Sequence, residues 1–177
     1  PFPLFLKRLQ DLGAAAVGFT GTSTWAGQAE GDENAAPGYQ MTVVLDRAEG
    51  QTIAYGNYER AILRLPRHGG STPYANYTNL CVAHTMVGQY KHAQHYCDEA
   101  LKAAEKQAEF GRRKDRDYTS NWAIALSNRG VLKTRMGDAE GARDDFRAAI
   151  ELKSNTGVPT HNMANLSAET AETIVVR

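Results

Sequence analysis

Met136-Gly137-Asp138-Ala139-Glu140-Gly141-Ala142-Arg143 is the stretch that decides the fold, because the chain carries its plan twice more. Tyr55-Gly56-Asn57-Tyr58-Glu59-Arg60-Ala61-Ile62 and Val87-Gly88-Gln89-Tyr90-Lys91-His92-Ala93-Gln94 also place an Ala five residues after a Gly. Each copy is flanked by sequence with helical apolar periodicity. Gly is the residue that ends a helix in the left-handed conformation. The Ala is small enough for the next helix to lie close against the one before. Internal repetition of this kind marks a stacked-repeat architecture.

Working outward, the three segments resemble the turn and second helix of a tetratricopeptide repeat. The fullest copy is 123–156, in which Leu126, Gly130, Gly137, Ala142, Phe146 and Ala149 fall at the family's signature positions. Arg129, Lys133 and Ser154 depart from it, standing where the family has apolar, large and Pro residues. The copy at 74–107 matches at Tyr77, Leu80, Cys81, Gly88, Ala93, Cys97 and Ala100, with His84 in place of a large residue. The copy at 45–65 is degenerate, with Glu49 at a small-residue site.

The resemblance implies an all-α fold of stacked antiparallel helix hairpins, a TPR-like α-solenoid, behind a disordered or extended N-terminal segment. The expected repeats are 42–66, 73–116 and 118–154, within a repeat region of 42–156. A loop and capping helix follow at 157–177, with the helix from about Asn162 to Val176. The marker glycines are spaced by 32 and then 49 residues. The surplus, 104–118, is polar and helix-forming, and reads as an extension of the second repeat's back helix, broken near Gly111. The basic run Arg112, Arg113, Lys114 and Arg116 there is read as a solvated helix end, with a docking patch as the alternative. Met41 to Leu45 is the only strand-like run.

The N-terminus has the makings of an export signal. The chain opens on Pro1 rather than Met, as a fragment or a processed form would. Lys7 and Arg8 are followed by a short apolar stretch, 9–19, interrupted at Gln10 and Asp11. Small residues stand near Ala26 and Ala29, where a signal peptidase would cut. Residues 1–29 are therefore expected to be a targeting segment, with 30–41 a linker. The competing reading is an amphipathic helix followed by a Gly/Thr/Ser linker.

Composition narrows the function. Over 177 residues, Lys plus Arg and Asp plus Glu balance at 20 each, which leaves no net field to draw in nucleic acid. No run is apolar and long enough for an ordinary membrane span. Two cysteines, Cys81 and Cys97, stand eight residues on either side of Gln89 in the expected turn, so antiparallel helices would bring them level. A disulfide there would stabilise by about 3 kcal/mol in the chain-entropy model and would call for an oxidising compartment. Two buried thiols are the alternative.

Chemistry is sparse. His84, His92 and His95 cluster in one repeat, but no carboxylate pattern completes a metal set, so they read as surface or half-buried. No phosphate loop, nucleophile elbow or H-E-x-x-H motif is present. Asp144, Asp145 and Glu151, beside Arg143 and Arg147, read as surface ion pairs. No enzymatic activity, cofactor or metal is expected.

By resemblance, the first helices of successive repeats would line a concave groove for an extended peptide or helix of a protein partner. Carried over by position, its residues would be Ala75, Thr78, Val82, Thr85 and Met86, then Ile124, Ser127, Val131, Thr134 and Arg135. Ser127 and Val131 replace the polar residues that clamp a carboxylate in some members. The expectation is a periplasmic interaction scaffold, with a cytoplasmic location as the alternative. The rival functions are a structural or homo-oligomerising envelope module and, third, a His-dependent enzyme or ligand carrier.

Overall fold

The computed structural model describes residues 22–25, 38–45, 48–65, 72–110, 118–152 and 156–175. Most of them are helical. In chain order the elements are β1 (Thr22–Trp25), β2 (Met41–Val44), α1 (Ala48–Ala54), α2 (Tyr58–Arg64), α3 (Pro73–Met86), α4 (Tyr90–Phe110), α5 (Tyr118–Arg135), α6 (Ala139–Glu151) and α7 (Val158–Val175).

Local chemistry sets the helix ends. Pro73 opens α3, where its missing N–H costs nothing, and the Thr72 hydroxyl accepts from the Ala75 N–H at 3.3 Å. Asp138 caps α6 by accepting from the Gly141 N–H at 2.9 Å. Gly88 and Gly137 take φ of 73° and 82°, values that L side chains rarely adopt. The residue after each closes the turn, with Gln89 N donating to His84 O and Asp138 N to Lys133 O, both at 2.9 Å. The long back helix read from the sequence is α4, which runs to Phe110. Gly111 and the basic run that follows lie outside the described residues. The last helix begins at Val158, earlier than Asn162, because Pro159 is tolerated in a first helical turn.

Each helix from α3 onward packs on the next, and α3, α5 and α7 also touch in succession. The close contacts between these helices fall at small residues. A Cβ on Gly130 would stand 2.4 Å from the Phe146 ring, so only glycine lets α5 and α6 approach this closely. Cys81 and Cys97 hold the corresponding pair of places between α3 and α4. Their Sγ atoms are 2.08 Å apart, bonding distance, with Cα atoms at 4.8 Å. One pair of helices is thus joined by a covalent bridge where the next is joined by a ring over a glycine. Ala93 and Ala142, the small residues of the repeated plan, are fully buried.

Two departures from the expected surface go together. Arg129 and Lys133 stand where apolar and large residues were expected, and Asp145 is not surface decoration but buried. Arg129 holds Asp145 by two hydrogen bonds of 2.8 Å, and reaches Asp98 at 3.1 Å. Lys133 Nζ lies 2.9 Å from the same carboxylate. The Asp145 hydrogen bond is the main cause that raises the Arg129 pKa further, against desolvation. Asp144 and Arg147, by contrast, form the exposed pair expected of them.

The strand-like run at 41–45 is β2, which pairs antiparallel with β1 in the register Thr22↔Val44 to Trp25↔Met41. β1 falls inside the segment read as an export signal, so the strand and the proposed cleavage compete for the same residues. The rest of that segment, and the linker up to 37, lie outside the described residues. Among the described residues no helix is long and apolar enough to cross a membrane.

Candidate functional site

Successive residues of an extended strand turn their N–H and C=O groups to opposite edges. In residues 40–44 the groups of Gln40, Thr42 and Val44 face one edge, and what meets them there is three asparagine side chains. Asn162 accepts from Gln40 N and donates to Gln40 O, both at 2.8 Å. Asn128 does the same for Thr42 at 2.8 and 2.9 Å. Asn79 does so for Val44, at 2.9 Å each way. A carboxamide presents one acceptor and one donor pair side by side, so it mimics the edge of a neighbouring strand. All three asparagines are buried, at 1% exposure or less. They sit on α3, α5 and α7, one per helix, and the strand runs past them in the reverse of their chain order.

The ends of the segment are held differently. Gly38 is exposed, and its carbonyl lies 2.9 Å from His161 Nε2. The Tyr39 hydroxyl donates to Glu169, and its ring stacks on Phe146 with centroids 6.4 Å apart. Burial, with the Glu169 bond second, raises the Tyr39 pKa, so this hydroxyl stays protonated. At the other end Gly50 of α1 fits beneath Val44, whose oxygen would stand 2.3 Å from an added Cβ. Met41 and Val43 join Val82, Val131, Leu132 and Phe146 in one apolar cluster.

The residues read as a groove therefore do not line open space. Ala75, Thr78, Val82, Thr85, Ile124, Ser127 and Val131 are buried, while Met86, Thr134 and Arg135 are half-buried. Val82 and Val131 meet the strand's apolar side chains in the shared cluster. Ser127 accepts from Asn162 at 3.2 Å, and Arg135 Nη2 lies 3.9 Å from Met86 Sδ. Asn79 and Asn128 are the immediate neighbours of Thr78 and Ser127, and the sequence reading passed over them. A signal was there. Asn79 and Asn128 each stand nine residues before a turn glycine, and Asn162 follows Asn128 by 34 residues.

His84 is not at the surface. It is buried and stacked between His92 and Tyr96, at 5.3 and 5.2 Å, with Nδ1 2.8 Å from Gln89 Oε1. Burial lowers its pKa, the Gln89 bond opposes this, and the charge of His92 adds to the lowering. Among the described residues no group of three or more His, Cys, Asp or Glu is placed to hold a metal. Because the folded chain binds this proton less readily than the unfolded chain, stability is full above the ordinary histidine value of about 6.5 and falls as pH drops through it. The denaturation midpoint should be lower at pH 5.5 than at pH 8, and His84→Asn should flatten the difference. An unchanged slope in that variant would remove His84 as the cause.

Fold and site together define a mostly helical framework that holds an extended segment by its main chain. Comparison of the chain with family models, with curated proteins and with solved structures returns no match.

Proposed function

We propose that the chain is a protein-interaction scaffold of the tetratricopeptide kind, which holds an extended segment by its backbone and carries out no catalysis. The observation behind this reading is the row of three asparagines, each bonded twice to alternate residues of one extended strand. Bonds to main chain do not depend on sequence, which suits a surface that receives a segment rather than one that performs a reaction. The spacing of the asparagines with the repeat favours a device multiplied by the same stacking that builds the solenoid. The cysteine pair at bonding distance, with the signal-like N-terminus, favours the periplasm. A structural envelope module is the second reading, favoured by the fact that the chain's own residues fill the seat.

Photo-crosslinking separates the two. Asn165 packs beside Gly38 at the open end of the seat. A photoreactive residue at position 165 of the full chain carrying Tyr39→Ala, which loosens the chain's own segment, should capture an extended segment of a second protein in the native envelope. Asn162→Ala should abolish that capture. Crosslinks confined to residues 38–40 of the chain itself would instead establish the structural module.

A further inference from the structure

We infer that residues 38–45 are a resident ligand in cis, seated where a partner's segment of the order aromatic–x–apolar–small branched–apolar enters from the α7 end and displaces them. This rests on the reading of the seat as a binding surface, and it names the partner's chemistry.

The ladder supplies affinity without choosing a sequence, since all six of its hydrogen bonds go to backbone atoms. Selection falls to the side chains. Tyr39 fits a place that offers both a ring to stack on and a carboxylate to accept its hydroxyl proton. Gln40 is only half-buried and so little constrained. Met41 and Val43 occupy the apolar cluster, and Thr42 between them is buried at 2% exposure, leaving room for a small branched residue and no more. A long or charged residue at that place would have to be buried beside the Asn128 carboxamide.

The direction of entry follows from the unequal ends. Beyond Val44 the chain continues into α1, and Gly50 packs under the strand. Towards the other end Gly38 is exposed, and residues 38–40 lie beyond the register that ties 41–44 to β1. The ladder pairs at both ends, Gln40 with Asn162 and Val44 with Asn79, are part-buried, whereas Thr42 with Asn128 between them is fully buried. Opening therefore starts at Gly38 and Tyr39. A tethered segment competes at an effective concentration of the order of millimolar, so an intact chain binds a free peptide only weakly. Loosening the resident segment raises the fraction of chains with an open seat and tightens apparent binding by that factor.

The test uses the full chain and a fluorescent peptide with the sequence of residues 38–45, read by anisotropy. Tyr39→Ala removes the ring and hydroxyl contacts, and Gln40→Pro removes the N–H that Asn162 accepts. Each variant, once circular dichroism shows its helices intact, should bind the peptide about tenfold more tightly than the unaltered chain. Asn162→Ala added to either should reverse the gain. Equal binding by the unaltered chain and both variants would overturn the resident-ligand proposal. Equal binding of a peptide with the Met and Thr places exchanged would overturn the recognition order and leave the seat standing. If no peptide from a random pool binds any variant, the scaffold reading fails as well.

Discussion

Asn128→Leu should lower the free energy of unfolding by about 2–6 kcal/mol, because it strands two backbone groups at once. Thr42 N–H and C=O are buried, and the Asn128 carboxamide is their partner on that edge of the strand. A leucine has similar bulk and no polar atom, so each group loses its bond without gaining water. Asn128→Asp should do no better. It keeps an acceptor for the N–H, but it sets a carboxylate against the Thr42 carbonyl in a buried site. For a chain of this size the loss corresponds to a fall in melting temperature of about 2–4 °C per kcal/mol. The exposed Asn57 serves as a control, since its side chain makes only a 3.5 Å contact to Tyr55 O. If Asn128→Leu melts within a degree of the unaltered chain, the ladder is not holding the segment.

Asp145→Ala should cost about 3–5 kcal/mol, the usual consequence of removing one member of a buried ion pair. The carboxylate is 6% exposed, and it neutralises Arg129 and Lys133, whose side chains are 23% and 27% exposed. Its loss leaves two cations with only Asp98 and the Gly141 carbonyl to answer them. The contrast that identifies the cause is the triple replacement Arg129→Met, Lys133→Met and Asp145→Leu. That variant removes charge and countercharge together and should regain most of the loss. Urea midpoints of the three proteins decide the matter. If the triple variant is as unstable as Asp145→Ala, shape rather than uncompensated charge sets the cost.

The same pair of positions shows how much of this protein can be read along the chain. Gly137 and Ala142 announced a turn and a close contact because both requirements are local, one a backbone conformation and the other a side-chain size. The Cys81 and Cys97 pairing was within reach for a related reason: equal distance from a turn brings two residues level. Asp145 was misjudged because it lies beside the exposed Asp144, and neighbours on a helix face directions 100° apart. Its partners, Arg129 and Lys133, stand on the preceding helix, and nothing along the sequence joins the three charges.

The candidate site shows the limit more sharply. Thr78 and Ser127 were placed on the inner face, and their neighbours Asn79 and Asn128 recur in register with the repeat. What linked these two and Asn162 to residues 40–44 was contact across 35 to 122 positions of chain. An Asn alone is equally at home as a cap, a turn residue or a solvated side chain, so its type does not announce a strand mimic.

By itself, then, the chain's order of residues determined the helices, their turns, the strand-like run at 41–45 and the level placing of the two cysteines, because these follow from interactions between residues near one another in sequence. Only the tertiary structure decided that the inner face is filled, that the strand fills it, and that three asparagines complete its edge. Those outcomes depend on which distant backbone groups are buried together and must find partners there, a demand that arises only when the helices have stacked.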